Sequence, residues 1–246
     1  MASKKQIVVL GAGMVGAVMA EDLAQEKDFE VTVADRDPEV LKKLAKRAPV
    51  QTITADLSKL ATIKKLVAPA DLVVGAVPGF LGFQTLKQVI ECGKNFADIA
   101  FMPEDYLELE GLARKCKVTA VVDCGVAPGL SNLILGKYNS EYDSFEEALV
   151  LVGGLPSIRT WPYEYKAPFS PIDVIEEYTR PARYVVDGKV VTMPALSEPE
   201  LVNLPGIDTL EAFNTDGLRS LIQTIQCPNM KEKTMRFPGH IEIMRV

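Results

Sequence analysis

Short apolar runs alternate with amphipathic segments along the first half of the chain. The runs are rich in β-branched residues, which is typical of strands buried on both faces of a sheet. The segments between them carry apolar residues at helical spacing, and two of them open with a proline at the first helical position. We therefore predict six strands, each followed by a helix, at residues 6–10, 29–34, 50–54, 71–76, 96–100 and 118–122.

Regularly spaced strands separated by helices predict right-handed β-α-β crossovers and hence a parallel sheet. Helices on both faces of such a sheet give the doubly wound, Rossmann-type arrangement of the α/β class. The alternation ends near residue 138. We therefore predict a dinucleotide-binding domain over residues 1–138.

The remaining part of the chain, residues 139–246, has a different pattern. A long apolar run closed by Gly-Gly-Leu-Pro is a strand candidate, and Asp187-Gly188 joins two β-branched runs as a hairpin turn does. Ser170 is the candidate cap of a helix, and residues 215–225 predict a later helix. We expect a second, α+β domain here.

The composition narrows the possible partners. With 246 residues, 48% apolar and 24% charged, the chain is typical of a soluble globular protein. A net charge of −6 argues against nucleic acids and anionic membranes and favours a small-molecule partner. Apolar runs are too short to span a membrane, and two lysines lead directly into the first strand, so we expect no targeting signal and a cytoplasmic location. The four cysteines lack CxxC spacing, so we predict neither a metal site nor disulfides.

The stretch VVLGAGMVG carries the first chemical motif. Gly11, Gly13 and Gly16 form G-x-G-x-x-G at the end of a predicted strand and the start of a predicted helix. In a dinucleotide site the first glycine makes the tight turn, the second admits a pyrophosphate, and the third packs helix on strand. Met14 and Val15 then contribute the first backbone N–H groups of the helix. The alternative is an ordinary turn that contains three glycines.

The adenosine ribose and the adenine of the nucleotide are expected at the ends of the second and third strands. Asp35 closes the second strand, where this fold places an acid against the adenosine ribose hydroxyls, so NAD is the favoured cofactor. Arg36 follows directly and could meet a 2′-phosphate, so NADP stays possible. Asp56, after the third strand, is a candidate for the adenine amino group, with the cap of the next helix as an equal alternative.

The later strand ends meet at the same edge of the sheet. Ala76, Val77 and Pro78 form a turn after the fourth strand, at the carboxyl edge where open α/β sheets bind ligands. Asp98 and Cys124 end the next two strands. We expect both to face the same crevice.

Cys124 has three possible interpretations: a reactive thiol, a small packed core residue, or one wall of a nicotinamide pocket together with Gly125. A catalytic thiolate needs a neighbouring base or cation, and the only histidine, His240, is far away in the sequence. Cysteine is among the most buried residue types, which favours the core interpretation. The glycines and proline that follow Cys124 favour the wall.

Seven stretches carry a family resemblance: GAGMVG, ADRD, VPGFLGFQTLKQVIECGKNFADIAF, DCGVAPGLSN, VGGLP, FSPIDVIEEYTRPARYVVDGKVV and TMRFPGHIE. They run almost end to end and resemble the saccharopine dehydrogenase family, in particular its bacterial and archaeal lysine 6-dehydrogenase-like branch. The resemblance implies a nicotinamide-dependent enzyme that acts on a carbon–nitrogen bond of a lysine-like amino acid. It also implies that Asp98 and Cys124 line the active site. The second domain would supply a substrate pocket and a dimer interface, so we expect a homodimer.

The sequence also departs from the family. Gly79 or Phe80 stands where some relatives carry a tyrosine, so the substrate need not be saccharopine. Family members continue well past the motif PGHIE, so we expect a C-terminally truncated chain with an incomplete second domain. Two alternatives stay open: a carboxynorspermidine-type reductase of polyamine precursors, and an NAD-binding protein without catalytic activity.

An amino-acid substrate needs a cation for its carboxylate, and bidentate arginine is the natural choice. Arg180, Arg183 and Arg236 are candidates, each with a plain surface charge as the alternative. Tyr165 is a further substrate candidate, with core or interface packing as its alternative. His240 has an ordinary pKa suited to proton transfer, but a solitary histidine more often serves a structural hydrogen bond.

Overall fold

The computed structural model describes residues 3–246, which divide into two compact units. Unit 1 ends at Cys124 and unit 2 begins at Gly125.

Unit 1 is built on six strands: β1 (Lys5–Leu10), β2 (Phe29–Asp35), β3 (Gln51–Thr54), β4 (Leu72–Gly75), β5 (Asn95–Asp98) and β6 (Ala120–Val121). All pairs are parallel, and the order β3-β2-β1-β4-β5-β6 reverses between β1 and β4. This confirms the predicted doubly wound sheet. Ligands of such sheets bind at the carboxyl ends of the strands beside the reversal.

Helices cover both faces of this sheet: α1 (Met14–Leu23), α2 (Pro38–Ala45), α3 (Leu60–Val67), α4 (Gly79–Glu91), a 3₁₀ helix (Tyr106–Leu109) and α5 (Glu110–Cys116). Because side chains alternate along a strand, Val8 and Leu10 of β1 enter one apolar cluster while Ile7 and Val9 enter the other. Each such fully buried side chain contributes roughly 1.5–3 kcal/mol to stability. One apolar cluster on each face of the sheet thus holds the strands, and therefore their carboxyl ends, in place.

Unit 2 contains α6 (Leu130–Glu141), β7 (Glu147–Gly153), α7 (Pro171–Thr179), β8 (Ala182–Val186), β9 (Lys189–Met193), β10 (Glu200–Leu204), β11 (Asp208–Asn214), α8 (Leu221–Thr224), β12 (Asn229–Arg236) and α9 (His240–Met244). Strand β12 is central: it is parallel to β7 and antiparallel to β11 and β8. Unit 2 is therefore a mixed sheet with helices, which agrees with the predicted α+β class.

The hairpin prediction in unit 2 is confirmed. Strands β8 and β9 pair antiparallel around Asp187 and Gly188, whose φ angles of 49° and 73° are both left-handed, as a type I′ turn requires. Ser170 is the N-cap residue of α7 by position, but its side chain makes no capping hydrogen bond within the described chain.

Two predicted boundaries differ in the structure. The helix expected over residues 215–225 shrinks to α8, because the buried Asp216 carboxylate accepts hydrogen bonds from Arg183 and so holds its segment out of the helix. The division between units precedes α6, whereas the sequence placed it near residue 138. Helix α6 lies in unit 2 because Leu135 joins an apolar cluster there.

Candidate active site

The glycine loop between β1 and α1 is shaped by close backbone packing. Gly11 has φ +106°, and a Cβ on it would overlap the carbonyl oxygen of Ala76. A Cβ on Gly16 would overlap the carbonyl oxygen of Gly11. Gly13 differs, because no atom lies within 4 Å of the position its Cβ would occupy. The loop therefore has no space for a side chain at Gly11 or Gly16, whereas the space beside Gly13 is free of protein atoms.

The N-terminus of α1 meets that open space. Gly13 is the N-cap residue and has no side chain to cap the helix, so the N–H groups of the first turn, from Met14 to Gly16, lack a capping side chain. Helix N-termini concentrate such N–H groups together with the positive end of the helix dipole, which favours anions. These residues fit the pyrophosphate of a dinucleotide.

Asp35, the last residue of β2, supports this loop. One carboxylate oxygen accepts a hydrogen bond from the Ala12 N–H at 2.7 Å, and the other accepts from the Asp37 N–H at 2.9 Å. A carboxylate has further acceptor positions, so these bonds are compatible with ribose hydroxyls as additional donors. Arg36 is exposed immediately beside it.

Asp56 forms a local turn. Its carboxylate accepts from the Ser58 N–H at 3.1 Å and from the Ser58 hydroxyl at 2.6 Å, and these bonds lower its pKa. The N-cap residue of α3 is Lys59, so Asp56 does not cap that helix. A contact with adenine stays a prediction.

The turn after β4 lies against the glycine loop. The Ala76 N–H donates to the Leu10 carbonyl at 2.8 Å, which brings this turn beside the end of β1. Val77 is buried, and Pro78 is the N-cap residue of α4. The structure thus places Ala76, Val77 and Pro78 at the carboxyl edge, as expected.

Asp98, the last residue of β5, is completely buried. Oδ1 accepts from the Ala100 N–H at 3.1 Å, while Oδ2 has no hydrogen-bond partner among the described residues. Burial, reinforced by the negative charge of Asp123, raises the pKa of this carboxyl to about 7. A carboxyl with that pKa exchanges protons near neutral pH.

Sequence reasoning missed two residues at this edge, Asp123 and Tyr106. The Tyr106 hydroxyl, from the 3₁₀ helix, donates to Oδ2 of Asp123, and both residues are buried. Asp123 ends an apolar run beside Cys124, which was a weak signal. The spacing of the residues gives no signal that links Tyr106 to Asp123.

The backbone of Cys124 lies next to that of Asp98, because the Cys124 N–H donates to the Asp98 carbonyl at 3.0 Å. The residue is exposed, which excludes the packed-core interpretation. Partial burial of the sulfur atom, together with the charges of Asp98 and Asp123, raises the pKa of the thiol. The thiol is therefore protonated at neutral pH, which disfavours a nucleophile and leaves the pocket wall. Gly125 opens unit 2 in a tight turn, where its carbonyl accepts from the Leu130 N–H at 2.9 Å.

Three of the predicted substrate residues, Tyr165, Arg236 and His240, share one interior cluster of unit 2. Arg236 is buried: Nε donates to the Tyr178 hydroxyl at 2.8 Å, and the guanidinium lies 4.5 Å from the Tyr165 ring centroid and 3.5 Å from Glu177. The surface-charge alternative therefore does not apply to Arg236, which pairs with Glu177 inside the unit.

His240 belongs to the same cluster and uses both ring nitrogens. Nδ1 lies 2.8 Å from the Tyr163 carbonyl, which can only accept, so Nδ1 is the donor. Nε2 lies 2.9 Å from the Tyr178 hydroxyl. Burial lowers the pKa of the imidazole, so the ring is neutral near pH 7. This arrangement matches the structural alternative for His240.

Arg180 lies in a different polar group of unit 2. It pairs with Glu176 at 3.4 Å, and burial together with the charge of Arg219 lowers its pKa. Nearby, Arg183 binds both carboxylate oxygens of Asp216, at 3.0 and 2.8 Å. The structure thus separates Arg180 from the cluster of Arg236.

Residues 3–246 contain no group of three or more His, Cys, Asp or Glu side chains placed to hold a metal ion, and their four cysteines are free. No helix in this range combines the length and the apolar character needed to cross a bilayer.

Family comparisons cover almost the whole chain. Residues 7–121 match the domain described as "Saccharopine dehydrogenase NADP binding domain", and residues 125–246 match "Saccharopine dehydrogenase C-terminal domain". The two matches meet at the division between the units.

Among curated relatives, the Saccharomyces cerevisiae saccharopine dehydrogenase [NADP(+), L-glutamate-forming] is 25% identical over 98% of this chain and 57% of its own length. The mitochondrial alpha-aminoadipic semialdehyde synthase of Mus musculus is 27% identical over 78% of this chain and 22% of its own length. The chain therefore spans between about a fifth and just over half of these relatives.

Among solved structures, the apo, L-Glu-forming saccharopine dehydrogenase from Saccharomyces cerevisiae superimposes with a TM-score of 0.78 at 23% identity. The match covers 96% of this chain and 56% of the solved one. It establishes the fold.

Proposed function

The chain belongs to the saccharopine dehydrogenase family, and from this premise we propose that it is a nicotinamide-dependent oxidoreductase acting on a carbon–nitrogen bond of a lysine-derived amino acid. One observation carries the proposal: a buried carboxyl with a partnerless oxygen, Asp98, ends a strand at the same sheet edge as the open helix N-terminus at Gly13. An anion-binding N-terminus and a proton-exchanging acid at one edge are what a dinucleotide-dependent amine oxidation needs.

The cofactor's residues are assigned by their geometry. We assign the pyrophosphate to the first-turn N–H groups of α1 above Gly13, and the ribose to Asp35. When bound, the nicotinamide accepts or supplies the hydride. The turn of Ala76, Val77 and Pro78 borders the same edge and would limit where the ring lies.

The choice between NAD and NADP is a separate part of the proposal. Asp35 by itself favours NAD, whereas the exposed Arg36 beside it suits a 2′-phosphate. Both Asp35 oxygens already accept backbone N–H bonds, which reduces the repulsion a phosphate would meet. The description of the matching family domain as NADP-binding adds support. We therefore propose that the chain accepts NADP, with Arg36 as the phosphate partner.

Asp98 is the proposed proton carrier. A protonated secondary amine must lose an N–H proton before its lone pair can form a carbon–nitrogen double bond. The Asp98 carboxylate takes that proton at Oδ2, the electron pair of the N–H bond stays on nitrogen, and the hydride leaves the neighbouring carbon. The reverse steps serve reduction. The neutral thiol of Cys124 would border the reacting carbon without attacking it.

The substrate class follows from the relatives. The yeast relative's name specifies saccharopine as its substrate, NADP(+) as its cofactor and L-glutamate as a product. We propose a saccharopine-type secondary amine as the substrate. Dimerisation and a cytoplasmic location stay predictions.

The first experiment separates binding from turnover. NADPH fluorescence titration gives the dissociation constant, and absorbance at the reduced nicotinamide band then follows the oxidation of saccharopine or L-lysine with NADP or NAD. Turnover of saccharopine supports the proposal. Turnover of L-lysine alone would identify a lysine 6-dehydrogenase, and cofactor binding without turnover of either amine would identify a non-catalytic binder.

Asp98→Asn is the decisive variant in this assay. Its NADPH dissociation constant should stay within about threefold of the parent, because Asp98 is not assigned to the nucleotide, while turnover falls strongly. Asp71→Asn, an exposed acid at the opposite end of β4, is the matched control and should change neither value.

A further inference from the structure

We propose that Tyr106 and Asp123 are positioning residues that act through Asp98: the Tyr106 hydroxyl fixes the Asp123 carboxylate at the sheet edge where Asp98 ends the neighbouring strand, and the charge held there acts on the exchangeable proton of Asp98. The inference rests on the proposed function, since it concerns the protonation of the acid assigned there.

The sheet register brings the two acids together. Strands β5 and β6 are parallel neighbours, with Phe96 opposite Ala120 and Ala97 opposite Val121. Asp98 ends β5, and the chain that leaves the neighbouring strand β6 leads directly to Asp123. The hydrogen bond from the Cys124 N–H to the Asp98 carbonyl, 3.0 Å long, ties the two chain ends to each other.

Tyr106 holds Asp123 in this place. A phenol is the donor in any hydrogen bond with an ionised carboxylate, so the Tyr106 hydroxyl donates to Asp123 Oδ2. Asp123 has a left-handed backbone with φ 54°, a conformation that aspartate adopts more readily than most residues. Both side chains are buried, so a rotation of the Asp123 carboxylate would break a buried hydrogen bond.

The Asp98 carboxylate is held by contacts at Oδ1 but not at Oδ2. The backbone N–H of Ala100 binds Oδ1, and Gly75 on β4 lies so close that a Cβ there would overlap the same oxygen. Oδ2 is the remaining oxygen, buried and without a partner among residues 3–246. A buried acceptor with no protein partner can accept a hydrogen bond from a ligand group or a water molecule.

The groups around Asp98 leave one source of negative charge. Strand β4 contributes Gly75, the segment after β6 contributes Asp123 and Cys124, and the 3₁₀ helix contributes Tyr106 behind Asp123. The Cys124 thiol is neutral at pH 7, and the Tyr106 hydroxyl is the donor to Asp123. Burial is the larger cause of the raised pKa of Asp98, about 7, and the charge of Asp123 adds to it. Without that charge the carboxyl would lose its proton at lower pH.

The test measures the protonation of Asp98 directly. Carbon-13 NMR of aspartate-labelled full chain follows the Asp98 carboxyl, identified by the loss of its signal in Asp98→Asn, and the pH dependence of kcat/KM is recorded in parallel. Asp123→Asn keeps the shape and an acceptor for Tyr106 but removes the charge. We expect the Asp98 titration to move to lower pH by roughly half a pH unit or more, with the activity profile moving in the same direction.

Tyr106→Phe provides the second variant. This variant keeps the Asp123 carboxylate but removes the hydroxyl that donates to it. We therefore expect the Asp98 titration to shift in the same direction by a smaller amount, and kcat to fall. Glu108→Gln, on the exposed side of the same 3₁₀ helix, is the matched control and should leave both profiles unchanged.

An unchanged Asp98 titration in Asp123→Asn would overturn the inference, and so would a shift of equal size in Glu108→Gln. The NMR titration needs no turnover. If no amine reacts but the NMR shift is observed, the proposed reaction fails and the charge coupling stands, so the two failures are distinguishable.

Discussion

The edge of unit 1 and the Arg236 cluster of unit 2 differ in how far their buried ionisable side chains are paired. At the edge of unit 1, Asp98 keeps an oxygen without a protein partner among the described residues, and the first turn of α1 keeps uncapped N–H groups. In the cluster of unit 2, Arg236 is paired with Glu177 and Tyr178, and both nitrogens of His240 are bonded, while the Tyr165 hydroxyl lacks a partner among the described residues. Buried polar groups are normally satisfied, so an unpaired ionisable group is a candidate position for a ligand.

This contrast separates stability from chemistry. Variants at the unit 1 edge should change activity more than stability, and variants in the unit 2 cluster should change stability more than activity. Each prediction below tests one side of that contrast.

Asp98→Asn carries the largest expected effect. Removal of a positioned general acid–base usually costs about 10²–10⁴-fold in rate, and we expect a fall in kcat/KM of that order with the fold retained. Stopped-flow turnover and circular dichroism on the same sample measure the two. Activity within tenfold of the parent would remove Asp98 from the chemistry.

Arg236→Met should have its main effect on stability. The substitution leaves Glu177 partly buried without its cation, and breaking a buried pair costs about 3–5 kcal/mol. Urea unfolding gives the loss, and turnover below the unfolding transition should be near that of the parent. If the variant stays stable but loses turnover, Arg236 contacts the substrate and the contrast between the units is broken.

Two glycines of one loop sharpen the contrast within unit 1. Gly16→Ala places a Cβ against the Gly11 carbonyl and should destabilise the chain by about 1–3 kcal/mol. Gly13→Ala meets no protein atom, so its stability should change little, while NADPH binding weakens by roughly tenfold because the new methyl occupies the pyrophosphate space. Thermal unfolding and fluorescence titration on both variants give the comparison. Equal NADPH affinity in Gly13→Ala and the parent would contradict the assignment.

Glu232→Gln tests a buried acid of unit 2 through the pH dependence of stability. Burial raises the pKa of Glu232 to about 8, while its carboxylate accepts from the Thr215 hydroxyl and the Gly217 N–H. The folded chain therefore holds this proton more tightly than the unfolded chain, and the stability of the parent falls as pH rises from the ordinary glutamate value toward 8. The variant lacks this loss, so its stability relative to the parent should improve by about 3.5 kcal/mol between pH 5 and pH 8. A constant difference across that range, measured by urea unfolding, would contradict the prediction.

Arg36→Ala has the smallest expected effect. The exposed guanidinium should contribute about 1 kcal/mol to binding a 2′-phosphate, so NADP affinity falls several-fold while NAD affinity is unchanged. Isothermal titration with both nucleotides measures the ratio. Equal losses for the two would place Arg36 away from the phosphate.

The sequence was informative wherever local pattern determines structure. The β-branched runs, the glycine loop and the Asp187-Gly188 turn each depend on a few adjacent residues, and each was predicted correctly. The pairing of Tyr106 with Asp123 was not predictable, because it joins residues that are adjacent only after β5 and β6 have paired. The satisfied state of His240 likewise depends on a carbonyl 77 residues earlier in the chain.

Gly75 has a consequence for how this site can change over evolution. Because a Cβ at position 75 would overlap the Asp98 carboxylate, any side chain there would displace that acid. We therefore expect the two positions to vary together. Related sequences that lack a glycine at position 75 should also lack an aspartate at position 98, and a lineage that loses one should lose the other soon afterwards.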